Sequence, residues 1–383
     1  VFVGLPLLMV FRILNPLLSI RIGILISERV GHLVVNTEWW LRSQALQNGR
    51  RREVSLFLSD RPANTQVLTM IKRKLRVWDS PLQVVVFRRL RRYWPNHPAW
   101  INLVNHFTFS CDSYEKWGRV SPQLSFTSEE RKRGEDILRS IGIETGEPFT
   151  CFFARDPAYL DTLHTYRSRD GWSYHDYRDC DINSYLPAAE FLAARGIWAL
   201  RMGKVVAKQI QSSHPRVFDY AANLRSDFAD VYLMANCKFF LGDTAGILAL
   251  SAAFGVPCAL ANIVPLGLAT YSPRDLFIFK KYKHLESERF LKVSEIIALG
   301  ADLWGQTEKY VAAGIGVIEN TADEVFALTQ EMNARLDGTW VPQDGDEELQ
   351  DRYRALFPRG HVFRGCPSRV GAEFLRQNQD LLA

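Results

Sequence analysis

The sequence offers little from which to build a disulfide or zinc framework. Its six cysteines (Cys111, Cys151, Cys180, Cys237, Cys258 and Cys366) form no CxxC pair, and several lie in apolar runs where a thiol acts as a small hydrophobe. A reducing, cytoplasmic compartment suits such a chain. No P-loop and no G-x-G-x-x-G string occurs, so the two common glycine fingerprints of nucleotide binding are excluded. Zinc-finger, helix-turn-helix and RNP patterns are missing too. No internal repeat points to a solenoid or propeller.

Clean apolar runs are also scarce. Val1–Phe11 is nearly all apolar, but Arg12 and the prolines Pro6 and Pro16 break the stretch that continues to Ile20. A membrane span needs about 20 apolar residues, and no small-residue cleavage site marks a signal peptide. Residues 1–20 are expected to form an interfacial or clipped membrane anchor, with a buried amphipathic helix as the alternative.

Acidic residues are short only locally. Residues 1–100 hold 5 Asp/Glu against 16 Lys/Arg, the other 283 hold 37 against 31, and the net charge is +5. A basic half suggests an anionic partner: membrane lipid, phosphate or nucleic acid. The charge concentrates in Arg50-Arg51-Arg52, Lys72-Arg73-Lys74-Leu75-Arg76 and Arg88-Arg89-Leu90-Arg91-Arg92-Tyr93-Trp94. Arginine beside Tyr and Trp, with an apolar amino terminus nearby, favours an anionic membrane surface over nucleic acid. The expected location is cytoplasmic, peripheral to the inner membrane.

What the sequence does contain is alternation. A chain of 383 residues suggests two domains. Ile22–Ser27, Glu53–Leu58 and Leu82–Phe87 read as strands, with helices over Asn36–Gln47 and Ala63–Leu75 between them. Residues 94–148 are less regular and hold the helix Glu129–Ile141. Strands then follow at Phe149–Ala154, Ile197–Leu200, Val217–Ala221, Lys238–Leu241 and Val256–Ala261. Helices interleave at Pro187–Arg195, Phe228–Asn236 and Ile247–Phe254, and two more lie at Ser294–Leu299 and Asp323–Leu336. Such alternation predicts an α/β protein with parallel sheets, built as two Rossmann-like domains facing a cleft. The expected divisions are 1–20, 21–145, 146–337 and a tail, 338–383.

In open α/β sheets ligands bind beyond the carboxyl ends of the strands. Gly242-Asp243-Thr244-Ala245-Gly246 lies at such a place, where helix-start N–H groups attract phosphate; an ordinary capped strand–turn–helix link has the same pattern. Arg201-Met202-Gly203-Lys204 follows another strand, and Arg201 can fork onto a diphosphate, although a surface Arg/Lys pair reads alike. The loop from Arg155 to Tyr185 is rich in Asp, Arg, Tyr, His and Trp, side chains suited to sugar rings. Its Asp179-Cys180-Asp181 string could bind a divalent cation, or Asp181 could simply cap the following helix. His32, after the first strand, is a candidate general base or merely a hydrogen-bonded histidine.

Together, Arg29–Leu33, Tyr177–Tyr185, Arg201–Gly203, Asp219–Ala221, Arg225–Phe228 and Gly242–Gly246 are similar to one family, the bacterial glycosyltransferases of surface-polysaccharide biosynthesis. The resemblance runs from about residue 20 to about residue 337. It implies a GT-B-like fold and sugar transfer from a nucleotide-diphosphate sugar to a glycan or lipid-linked acceptor, with no bound cofactor and no metal. It also implies that Arg201, Gly203, Lys204, Gly242, Asp243, Thr244, Ala245 and Gly246 hold the donor diphosphate. Arg155, Asp181, Tyr185, Asp219, Tyr220, Arg225, Ser226, Asp227, Arg29 and Gly31 would line the donor and acceptor sites. Asp156 or His32 would take the acceptor proton if the reaction inverts the anomeric centre. Pyruvyl transfer or sugar-nucleotide epimerisation on the same framework, and a non-catalytic membrane-associated scaffold, are the rival readings.

Overall fold

The computed structural model describes residues 18–46, 53–103, 111–158, 173–267, 272–361 and 363–382, together with Pro6, Met9, Val10, Arg12 and Ile13. The first domain runs β1 (Ser19–Ile24), α1 (Val30–Ala45), β2 (Glu53–Ser59), α2 (Thr65–Lys74), β3 (Arg76–Asp79), α3 (Pro81–Tyr93), β4 (Trp100–Ile101), α4 (Cys111–Gly118) and α5 (Ser128–Ile141). Its four strands are all parallel, in the order β3-β2-β1-β4. Leu82–Phe87, expected as a strand, belongs instead to α3. Ser80 caps that helix by accepting from the Gln83 amide, and Pro81 occupies its first turn, a start signal that outweighs the β-branched run. The third strand is the short β3, which ends at Asp79, three residues before that run begins.

The second domain runs β5 (Phe149–Phe152), α6 (Leu186–Ala193), β6 (Trp198–Arg201), β7 (Val217–Phe218), α7 (Tyr220–Asn223), α8 (Asp227–Asn236), β8 (Phe240–Gly242), α9 (Leu248–Phe254), β9 (Cys258–Ile263) and β10 (Leu276–Phe279). There follow β11 (Lys281–His284), α10 (Val293–Ala298), α11 (Thr307–Ala312), β12 (Ile315–Ile318), α12 (Ala322–Leu336), α13 (Asp346–Ala355), β13 (Arg369–Val370) and α14 (Ala372–Gln377). Seven parallel strands form the sheet β13-β10-β9-β8-β5-β6-β7, and β11 pairs antiparallel with β12. Beginning at β5, the chain lays strands first on one side and then on the other, which puts the switch point between β5 and β8. Residues 338–383 do not trail off. β13 extends this sheet from β10, the Gln350 amide bonds both backbone groups of Val370, and Tyr353 stacks on Phe279.

The two domains share one apolar core that runs from Leu33 and Val34 on α1 to the interior of the second sheet. A separate small cluster of Ile22, Leu58, Val84, Phe87, Leu90 and Trp100 lies between the first sheet and α3. Two helices join the domains. In α5 the Thr127–Glu130 capping box starts the helix and left-handed Gly142 ends it. Gly134 of α5 leaves room for the Tyr232 ring, which a Cβ would meet at 2.1 Å. On α1, Glu38 and Arg42 form a fully buried ion pair of 2.9 Å. Arg42 also donates to the carbonyls of Trp117 (2.8 Å) and Ala253 (2.8 Å), while Glu38 accepts from the amides of Gln123 (2.7 Å) and Leu124 (3.3 Å).

These links turn the carboxyl ends of the two sheets toward each other. The first turn of α1, after β1, abuts the turn after β8: a Cβ on Gly31 would lie 3.2 Å from the Gly246 Cα. The loop after β2 meets the start of α8, where Asp227 accepts from the Thr65 amide at 2.8 Å. Lys204, after β6, donates to the Ala63 carbonyl at 2.9 Å. Two Rossmann-ordered parallel sheets facing edge to edge are the α/β architecture expected from the sequence. Among the described residues, no helix is long and apolar enough to cross a membrane.

Candidate functional site

The facing edges are built around Asp243, the first residue after β8. Its carboxylate is buried and accepts from the Arg155 amide (2.6 Å), the Ala245 amide (2.9 Å) and the Cys180 thiol (3.2 Å). One side chain thus joins the exits of β5 and β8 to the loop that precedes α6. Burial pushes the Asp243 carboxyl up, against the pull of its donors and of Arg178 and Arg155. Arg178 donates to the Thr244 carbonyl, and its Nε has no hydrogen-bond partner among the described residues. Arg155 pairs with Asp179 at 2.8 Å, and buried Lys280, following β10, donates to the Asp179 carbonyl at 2.6 Å. Burial raises Asp179 to about 6.

This wiring changes how the glycine-rich turn is read. A Cβ on Gly242 would strike the Phe240 ring at 2.4 Å, and one on Gly246 would meet Val30 at 3.3 Å. The two glycines admit the protein's own ring and helix α1, where the sequence suggested that they admit a ligand. Asp243 likewise faces inward, an anion unsuited to touch a diphosphate. The D-x-D string is divided in the same way. Asp179 pairs with Arg155, while Asp181 caps the following turn by accepting from the Asn183 amide. Among the described residues no group of three or more His, Cys, Asp or Glu side chains is placed to hold a metal ion.

Arg201 closes β6 as expected but is only 1% exposed. It pairs with Asp219 at 3.3 Å, and Asp219 also accepts from the Ile210 amide at 3.0 Å. The pair therefore holds the excursion from β6 to α7 against the sheet edge, and the Arg201 Nε is left without a hydrogen-bond partner among the described residues. Tyr220 is buried and donates to Asp230 at 2.8 Å. Arg225 binds Asp230 and Asp227, and Ser226 caps α8 by accepting from the Ala229 amide. Tyr185 is fully buried and accepts from the Asn262 amide group at 3.1 Å.

No family model matches the chain, and no curated protein does. Among solved structures it is distantly similar to the ADP-heptose LPS heptosyltransferase II of E. coli, with a TM-score of 0.40 and 12% identity over 62% of this chain and 83% of that one. It is also distantly similar to a glycosyl transferase of family 9 from Veillonella parvula, with a TM-score of 0.40 and 10% identity over 62% of this chain and 79% of that one.

The two candidate bases sit differently from what the sequence suggests. Arg29 is the residue before α1, so Gly31 and His32 lie in the helix's first turn and not in a strand-end loop. Burial and the neighbouring Arg29 lower His32 to about 4, so it is uncharged at neutral pH. Asp156 clasps two loops, accepting from the amides of Ala158 (2.9 Å) and Ala207 (3.1 Å). Of the polar loop, residues 159–172 lie outside the described residues. Arg178, Asp179, Lys280 and Asn262 were not singled out in the sequence as lining residues. Arg178 and Asp179 stand inside the Tyr177–Tyr185 string, whereas nothing local marks Lys280 or Asn262.

The depressed His32 has a pH consequence. Its contribution to stability is present above pH 6.5, the ordinary histidine value, and is lost as the pH falls through about 4. Urea unfolding across that range is expected to show a loss in the wild type that His32→Asn lacks. Equal slopes in the two proteins would remove this role.

Proposed function

We propose that the protein transfers a sugar from a nucleotide-diphosphate sugar to a glycan or lipid-linked acceptor. The observation that carries this reading is convergence. All six strings behind the resemblance meet at the facing sheet edges, although they are spread over more than 200 residues. Gly31 abuts Gly246, Arg178 and Cys180 bind the turn after β8, Arg201 binds Asp219, and Asp227 crosses to the first domain.

In this reading the donor lies at the carboxyl edge of the seven-stranded sheet, near its switch point. Lys204, bonded to the Ala63 carbonyl, and Arg155, paired with Asp179, are cations at this edge that would offset charge on the departing diphosphate. Arg201 positions the Gly203 turn through Asp219, and Gly203 leaves room for Val206, whose Cγ1 a Cβ would meet at 2.5 Å. The acceptor approaches from α1, where His32 presents an uncharged imidazole to its hydroxyl. Asp156 holds the loops after β5 and β6 together.

A melting experiment with UDP, GDP, CMP and dTDP tests the donor half. One nucleotide is expected to stabilise the protein by about 2.7 kcal/mol at about 100 times its Kd. The matching radiolabelled nucleotide sugar is then expected to pass its label into glycan or lipid-linked product. If no nucleotide shifts the melting temperature and no label moves, the reading fails.

A further inference from the structure

Placing Leu82–Phe87 in a helix changes what the first domain shows to its surroundings. Helix α3 buries Val84, Phe87 and Leu90 against the first sheet, on the face away from the core shared with the second domain. Helical spacing collects Leu82, Val85, Arg89, Arg92 and Tyr93 on its opposite side. Leu82 is 73% exposed and Tyr93 66%, and Val85, Trp94 and Trp78 of β3 are exposed beside them. The helix holds four arginines and no acidic residue. Arg88 reaches Glu28 at 3.5 Å and Arg91 bonds Asn102, but Arg89 and Arg92 form no ion pair among the described residues. Of the other two basic runs, Arg50-Arg51-Arg52 lies outside the described residues, and the second is used within the fold: Lys72 pairs with Asp79, and Arg73 with Glu130 on α5. Burial and the positive charge of Arg12 lower His97, just past the end of α3, and Met9, Val10 and Ile13, close to Arg12 in the chain, are exposed.

We infer that the outer face of α3, with Trp78, Tyr93 and Trp94, docks on an anionic lipid surface. Nucleic acid would use the arginines and leave Leu82 and Val85 in water. A bilayer takes both kinds of side chain. The apolar residues enter the acyl boundary, the guanidinium groups meet phosphates, and Tyr and Trp sit at the interface between them. Each basic side chain near such a surface is worth about fivefold in partitioning.

Flotation of the whole protein with phosphatidylcholine vesicles, with and without about a third phosphatidylglycerol, tests this. The wild type is expected to float only with the anionic vesicles, and less so as salt rises. The double substitution Arg89→Ala with Arg92→Ala should weaken partitioning by about 30-fold. Leu82→Asp with Val85→Asp should abolish it while leaving the melting temperature unchanged, because these side chains are exposed. The inference is overturned by equal flotation of wild type and variants, by equal binding to neutral vesicles, or by α3-dependent binding of RNA without vesicle binding. This readout needs no sugar transfer, so it can fail while the proposed reaction holds.

Discussion

Replacing Arg42 with alanine is expected to destabilise the protein by about 3–5 kcal/mol. The substitution removes the partner of Glu38, a carboxylate with no exposed side-chain surface, and strips donors from the Trp117 and Ala253 carbonyls. It also removes a guanidinium lying 4.0 Å over the Trp117 ring. Burial already raises the Glu38 carboxyl above the usual range, with Arg42 pulling the other way. Without Arg42 the acid must either take up a proton or remain charged in an apolar core. Urea unfolding followed by tryptophan fluorescence measures the loss. Adding Glu38→Gln to the Arg42 variant should recover part of it, because a neutral amide is cheaper to bury than an unpaired carboxylate. A loss under about 1 kcal/mol would show that the pair does not join the domains as described.

Asp243→Ala should have the second large effect. It leaves the amides of Arg155 and Ala245 and the Cys180 thiol without their acceptor, and it deprives half-buried Arg178 of a neighbouring carboxylate. Each orphaned buried donor costs about 1–3 kcal/mol, so the turn after β8 and the loop before α6 should detach from each other. The variant is expected to lose several kcal/mol of stability and any nucleotide-induced rise in melting temperature. Asp243→Asn keeps one acceptor oxygen and should retain more of both. An alanine variant as stable and as responsive as the wild type would mean that Asp243 does not organise the edge.

Both effects depend on residues to which the sequence assigns no role or a different one. Glu38 and Arg42 are an ordinary i,i+4 pair on a helix that was read from Asn36 onward, and such pairs are most often solvated. Only the crossing of α1 over Trp117 and Ala253 puts theirs in the core. The sequence puts Asp243 in a turn bounded by two glycines that is expected to hold a donor diphosphate, with an ordinary capped link as the alternative. Its local geometry fits the capped link through the Ala245 amide, but its bonds to Arg155 and Cys180 span 88 and 63 residues. No local pattern encodes partners so distant. The misread Leu82–Phe87 run has a different cause. Four of its six residues are Val or Phe, which suits a strand, yet the Ser80-Pro81 start and the burial of every third residue make it a helix.

Local patterning by itself determined most of the second domain's alternation and the parallel sheets it implies, because apolar period and capping residues act within a few positions along the chain. It also determined where the basic charge lies. Tertiary structure alone decided which loops meet, that Gly31 and Gly246 exist for each other, and that Arg201 and Asp243 face inward. It also made Arg369–Val370 a strand of the second sheet. A motif's chemistry depends on what stands opposite it: for Gly246 that is the other domain, and for Arg201 and Asp243 it is a distant segment of their own.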